Sequence, residues 1–239
     1  MLVIPAIDLR AGKCVRMEQG DPSRETTYDD DPVARARAFV AQGAKRLHVV
    51  DLDGAFGSGE NLAAIAAIAR AVSVPIQVGG GIRSAEHAAA RFEAGAAEII
   101  IGTLFVEDER IARHIVGRYG EKVIAGIDAR GREVAVRGWQ ERTPVDRDAL
   151  VQRVARWGVR RVIFTEIHRD GMGEGYDLDA LREVAAAADV RVTASGGAQS
   201  VADLQKLRAA APPAVDACII GSALYRGTID LAAAIAAVG

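Results

Sequence analysis

Two short stretches of this chain combine residue types suited to holding an anion. Val78-Gly79-Gly80-Gly81-Ile82-Arg83-Ser84 ends an apolar run at three glycines and restarts as a helix at Ser84. Glycine has no Cβ, so its N–H groups stay open to a ligand, and a helix beginning at Ser84 adds the positive end of its dipole. With the charge of Arg83, the chemistry implied is phosphate binding. Val192-Thr193-Ala194-Ser195-Gly196-Gly197-Ala198-Gln199-Ser200 repeats the pattern in the same relation to its neighbours. One such turn serves equally as a tight strand-to-helix connection. Here each is followed by a second small pair, Gly102-Thr103 and Gly221-Ser222, whose hydroxyls add donors.

The acid–base candidates are aspartates. Asp8 and Asp128 each close an apolar run, with Asp51 and Asp170 nearby. Two carboxyls facing across a ligand divide labour as base and acid when their surroundings separate their pKa values. Asp51 reads instead as a carboxylate that orients Arg or Lys side chains. Trp139, beside Arg137 and Gly138, is either a hydrophobic anchor or an indole that stacks on a flat heterocycle. His48, His87, His114 and His168 lack metal-like spacing and read as structural or exposed, and Cys14 and Cys218 as idle, buried thiols.

These residues must be positioned by the elements around them. Apolar runs at Leu2–Ile7, Leu47–Val50, Pro75–Val78, Glu98–Ile101, Val123–Ile127, Arg161–Thr165, Val190–Ala194 and Ala217–Ile220 alternate with helical patterns, giving eight strand-then-helix units. Short unbroken apolar runs indicate parallel strands buried on both faces. Eight units point to an α/β protein of the (β/α)8 TIM-barrel type, and a doubly wound sheet is the runner-up. Polar loops are expected at Arg10-Ala11-Gly12-Lys13, Gln19-Gly20-Asp21-Pro22, Gly54–Gly59, Arg130–Pro144 and His168–Gly175. Pro5 disagrees with its place inside the first strand, where it removes a ladder donor.

The halves also repeat. Ile7-Asp8 matches Ile127-Asp128, Asp53-Gly54 matches Asp170-Gly171, Gly80-Gly81 matches Gly196-Gly197, and Ile101-Gly102-Thr103 matches Ile220-Gly221-Ser222, at offsets of 116 to 120 residues. The chain reads as two fused half-barrels, about 1–120 and 121–239, within one domain. Strand ends of such a barrel converge on one face, so each site feature should appear twice and the ligand should carry a phosphate at each end. The length of 239 residues suits one barrel of about 250. A net charge of −2 with scattered basic residues gives no nucleic-acid footprint. The absence of a run of about 18 apolar residues, and of a basic segment ahead of an apolar one at Met1–Pro5, leads to the expectation of a cytoplasmic protein with no membrane association.

The residues resemble a known family, the phosphoribosylformimino-aminoimidazole-carboxamide ribotide isomerases of histidine biosynthesis. The resemblance spans the chain and is carried by Ile4-Pro5-Ala6-Ile7-Asp8-Leu9, Val50-Asp51-Leu52-Asp53-Gly54-Ala55, Val78-Gly79-Gly80-Gly81-Ile82-Arg83, Gly126-Ile127-Asp128, Gly138-Trp139 and Arg169-Asp170-Gly171. It implies an Amadori rearrangement of an aminoaldose to an aminoketose with no metal or organic cofactor. It implies Asp8 as base and Asp128 as acid, with Asp170 a rival acid, and Trp139 stacked on an imidazole carboxamide. Substrate binding would fall to Gly80, Gly81, Arg83, Gly102, Thr103, Trp139, Thr165, Gly196, Gly197, Gly221 and Ser222. The expected partner is a small molecule with two phosphate groups, and the expected state a monomer. Thr165-Glu166 departs from the family's usual Thr-Asp and lengthens that carboxylate by a methylene. The sister cyclase of the pathway fits Asp51–Ala55 and Trp139 less well. A dual-specificity isomerase also acting on phosphoribosyl anthranilate, and a non-catalytic phosphosugar-binding barrel, are the remaining alternatives.

Overall fold

The computed structural model describes residues 1–18, 21–170, 172 and 175–239. Gln19, Gly20 and Gly171, read above as loop residues, lie outside them. In chain order, β1 (Leu2–Arg10) leads into a hairpin of β2 (Lys13–Glu18) and β3 (Asp21–Asp29) and then α1 (Pro32–Ala41). There follow β4 (Leu47–Asp51), α2 (Leu52–Phe56), α3 (Leu62–Ala71), β5 (Ile76–Gly79), α4 (Ala85–Glu93), β6 (Glu98–Ile101), α5 (Leu104–Glu107) and α6 (Glu109–Tyr119). The second half runs β7 (Val123–Arg130), β8 (Glu133–Val136), β9 (Glu141–Asp146), α7 (Arg147–Arg156), β10 (Arg161–Glu166) and α8 (Leu178–Ala187). It ends with β11 (Arg191–Ser195), α9 (Val201–Ala210), β12 (Val215–Ile220), α10 (Ser222–Tyr225) and α11 (Leu231–Val238).

Eight strands, β1, β4, β5, β6, β7, β10, β11 and β12, pair in parallel in that order, and β12 returns to β1 through Leu2↔Ala217 to Pro5↔Ile220. The sheet is therefore a closed barrel with helices between strands, as the alternation of runs required. Polar residues at the helix starts carry the local signal. Asp31, Ser84, Asp108, Asp146, Asp177, Ser200 and Asp230 each accept a backbone N–H of the helix that follows, worth about 1 kcal/mol apiece. Pro5 sits at a handover: β1 pairs with β12 as far as Pro5 and with β4 from Ala6 onward.

The apolar residues form two bodies. The larger lies between sheet and helices and includes Ile7, Val49, Val78, Ile99, Ile127 and Phe164. The smaller fills the barrel itself, with Ile4, Ala6, Ile124, Ile163, Ala217 and Ile219. Since side chains of a strand alternate faces, Ala6 inside and Ile7 outside follow from one register.

Three stretches read as loops are ordered differently. Residues after β1 and after β7 form antiparallel hairpins, β2–β3 and β8–β9, in the same place in each half. The outer strands β3 and β9 are largely polar, while β2 and β8 bury Cys14, Val15, Val134, Ala135 and Val136, and ion pairs such as Arg10–Glu25 at 2.6 Å and Lys13–Asp30 at 2.7 Å hold the first hairpin. The turn that reverses β1 is Ala11-Gly12, with φ of 48° and 77°, the positive values that tight two-residue hairpin turns require. The Gly54–Gly59 stretch begins inside a short helix, α2, started by the Asp51 side chain.

Because Ile124 is enclosed inside the barrel, Ile124→Ala is expected to lower the unfolding free energy by about 2–5 kcal/mol, measured by urea denaturation.

Candidate active site

The carboxyl ends of the eight strands surround one cavity of about 270 Å³. Asp8 on β1, Asp128 on β7, Asp170, Trp139 and Thr165 all line it, as do both glycine turns with Arg83, Gly102, Thr103, Gly221 and Ser222. The sequence-predicted site residues are thus brought to one place. β5 and β6 carry the first turn and Gly102, β11 and β12 the second turn and Gly221, on opposite sides of the barrel.

Both turns use the left-handed region, with φ of 98° and 71° at Gly80 and Gly81 and 79° and 103° at Gly196 and Gly197. The cause is close approach by the preceding loop. A Cβ on Gly80 would lie 2.1 Å from the Asp51 carbonyl oxygen, and one on Gly197 2.3 Å from that of Gly175. Packing therefore requires these glycines, and the same absence of side chains leaves backbone exposed to the cavity. Arg83 is used differently from a plain anion partner: its guanidinium donates to the carbonyls of Gly54 at 3.1 Å and Ala55 at 2.9 Å, holding the loop after β4. The Thr103 hydroxyl accepts the Arg137 N–H at 3.0 Å, which leaves its own proton to donate.

Asp128 is half-buried at the cavity wall, and desolvation there pushes its carboxyl above the ordinary aspartate value; the negative charge of Asp170 adds to the rise. The Trp139 indole N–H and the Thr165 hydroxyl donate to it and pull the other way, but desolvation outweighs them. Trp139 reaches this position through three consecutive left-handed residues, Arg137, Gly138 and Trp139, at φ of 55°, 64° and 71°. For the two non-glycines this is a strained backbone. It is held by the Arg137–Glu107 ion pair at 2.7 Å, and Phe56 packs where a Cβ of residue 138 would be.

Asp51, set aside as a catalytic group, is wholly buried. It accepts from Gly54 N–H at 3.0 Å and from Asn61 through both backbone and side chain, and pairs with Arg91 at 3.3 Å. Asp53 accepts the Ala11 N–H at 2.7 Å, its carboxyl lowered by that bond and those from Asn61 and Ser58 against opposing burial. Asp53 is not among the cavity residues, whereas its repeat partner Asp170 is. The expectation that each site feature appears twice thus fails here. Glu166 uses its longer reach to accept the Gly131 N–H at 3.1 Å, tying β10 to the turn after β7. The thiols of Cys14 and Cys218 are buried and pushed up to about 12, as idle thiols should be.

One residue was missed. His48, read as structural, lines the cavity, with its Nδ1 3.0 Å from the Gln77 amide nitrogen. The signal available was parity: Val50 and His48 lie on the same face of β4 as each other, but in a strand apolar on both faces parity alone does not say which face is inside.

Fold and cavity define a closed (β/α)8 barrel whose strand ends present carboxyls and two glycine turns to one cavity. The chain belongs to the family described as "Histidine biosynthesis protein", whose profile matches residues 2–230. It is 48% identical over 240 residues to a protein of Gloeothece citriformis, covering 100% of this chain and 93% of the relative. It is 47% identical over 242 residues to one of Moorella thermoacetica, covering 100% of both. Both relatives are named 1-(5-phosphoribosyl)-5-((5-phosphoribosylamino)methylideneamino) imidazole-4-carboxamide isomerase.

A carboxyl raised in the folded state from its usual 3.8 favours the fold in its protonated form. That contribution is complete below the unfolded value and is lost as pH rises through the folded one. Asp128→Asn, which stays neutral, is therefore expected to melt higher than wild type at a pH above the folded-state value of Asp128, with the gain shrinking as pH falls and vanishing below about 3.8. Thermal scans across pH check this.

Proposed function

We propose that this chain is the isomerase for which its relatives are named, converting an aminoaldose bearing two phosphoribosyl groups to the aminoketose by an Amadori rearrangement. The observation that carries the reading is Asp128, a carboxyl raised by desolvation in the same cavity as Asp8. A raised carboxyl keeps its proton longer and suits an acid, which leaves the second carboxyl of the cavity for the base role.

Asp128 protonates the ring oxygen, the C1′–O4′ bond breaks, and the nitrogen lone pair forms the Schiff base. Asp8 then takes the C2′ proton, and the electrons of that bond neutralise the iminium to give an enolamine. Return of a proton to C1′ and loss of the C2′ hydroxyl proton complete the ketone. The formula is unchanged and only protons move, so the chemistry calls for no metal or organic cofactor. Asp170 competes for the acid role from the same cavity. Trp139 both donates to Asp128 and offers a flat face to the heterocycle.

The substrate's two phosphates go to the turn at Gly80-Gly81 with Gly102 and Thr103, and to the turn at Gly196-Gly197 with Gly221 and Ser222. Support comes from the placement of these turns on opposite sides of one cavity. Thr165 orients Asp128 and borders the ligand. The named relatives carry a single isomerase name, which favours this reading over dual specificity and over a binding barrel. We read the halves, about 1–120 and 121–239, as one domain because β6–β7 and β12–β1 pairing joins them, and the protein as a cytoplasmic monomer. No helix among the described residues is long and apolar enough to cross a membrane.

The test is turnover of the purified protein on the aminoaldose. Asp8→Asn is expected to lose about a hundredfold or more in kcat, and whichever of Asp128→Asn and Asp170→Asn falls further identifies the acid. Wild type that binds the substrate without converting it would overturn the assignment.

A further inference from the structure

Arg91 is an arginine with none of its surface exposed. It projects from α4 to three acceptors: Glu60 at 2.6 Å, Asp51 at 3.3 Å and the Gly80 carbonyl oxygen at 3.3 Å. The last contact connects it to the cavity. A trans peptide is planar, with its C=O and N–H pointing in opposite directions. Fixing the Gly80 carbonyl on the buried guanidinium therefore aims the Gly81 N–H the other way, and Gly81 lines the cavity. Both glycines have positive φ and no side chain, so besides the packing of the loop after β4 against them, the Arg91 bond is the side-chain contact made to this carbonyl.

The second half is built differently. Leu207 occupies the position after Gly196 that Arg91 occupies after Gly80, and it is buried among apolar residues. The second turn is held by the Gly175 N–H, which donates to the Gly197 carbonyl at 3.1 Å. Glu166, at the end of β10 as Asp51 is at the end of β4, turns to Gly131. In the first turn a buried cation thus holds a glycine carbonyl directly, and in the second a backbone N–H does so.

We propose that Arg91 is a positioning residue for one end of the ligand: it orients the Gly80–Gly81 peptide so that the Gly81 N–H meets a phosphate, while the phosphate at Gly196–Gly197 is independent of it. The proposal rests on the two-phosphate reading above. The guanidinium does not touch the ligand, and its charge is matched by Asp51 and Glu60; it acts through the carbonyl it holds.

Arg91→Leu installs the residue the second half uses, Arg91→Lys keeps a cation, and Leu207→Ala damages the equivalent core position without touching a turn. In steady-state assays on the aminoaldose, Arg91→Leu is expected to raise KM about tenfold, the loss of one hydrogen bond to a charged group, with kcat little changed. Arg91→Lys should fall between, and Leu207→Ala should lower the melting temperature while leaving KM alone. A direct readout does not need turnover. In amide NMR, titration of wild type with inorganic phosphate should shift both Gly81 and Gly197, and in Arg91→Leu only Gly197; Arg91→Lys carries the comparison if Arg91→Leu does not fold. Equal Gly81 shifts in wild type and variants, no Gly81 shift in wild type, or a KM change matched by Leu207→Ala would overturn the proposal. Absence of turnover in wild type with the Gly81 difference intact would sink the isomerase reading instead.

Discussion

Closure of eight parallel strands allows only alternate residues of each strand to face the barrel interior, and everything in the site depends on that constraint. On β1 it sends Ala6 and Asp8 inward and Ile7 and Leu9 out against the helices. On β7 it sends Ile124 inward below and Asp128 to the cavity above. A one-residue slip in either strand would put the carboxyl among the helices and an isoleucine or alanine in the cavity. The apolar interior layer of Ile4, Ile124, Ile163 and Ile219 therefore acts as more than filling. It closes the barrel under the site and gives Asp128 the low-dielectric surroundings that raise its carboxyl.

Burying polar groups is costly unless each finds a partner, and the two halves meet this cost with different chemistry. In the first, Asp51, Asn61, Arg91 and Glu60 form one connected network that also holds the Leu9 carbonyl and the Gly12 N–H. In the second, a leucine replaces the arginine, and the hairpin turn at Gly131 is held by Glu166 and by the buried Arg147, which donates to the Gly131 carbonyl at 3.3 Å. Asp53 is bound into its loop while Asp170 is presented to the cavity. The matching strand ends of the two halves thus differ in use, one carboxylate tied into its loop and the other lining the cavity.

The strained Arg137-Gly138-Trp139 segment belongs to the same division. Left-handed non-glycine residues persist only where their surroundings over-determine them, and here Thr103, Glu107 and Phe56 do so. The result is an indole that donates to the acid candidate Asp128 and faces the cavity at once. That ring forms part of the wall of the cavity that both glycine turns line. The identity to named isomerases over the whole chain is consistent with a cavity assembled this way.

Much of this was legible in the sequence. Apolar runs alternating with helical patterns dictated the barrel, and the internal repeat marked Asp8, Asp128 and both glycine turns, because strand and helix periodicity and glycine's lack of a side chain are local properties. Tertiary structure alone decided the rest. Segments at the mouth became hairpins because pairing partners, not apolar alternation, stabilise them. His48 turned inward because barrel closure chooses between two faces that are equally apolar in sequence. Arg83 went to carbonyls, Arg91 to a buried network, and Asp53 and Asp170 to different fates, because a charged side chain's role depends on which acceptors the fold brings within about 3 Å, and that distance is set by residues far away in the chain.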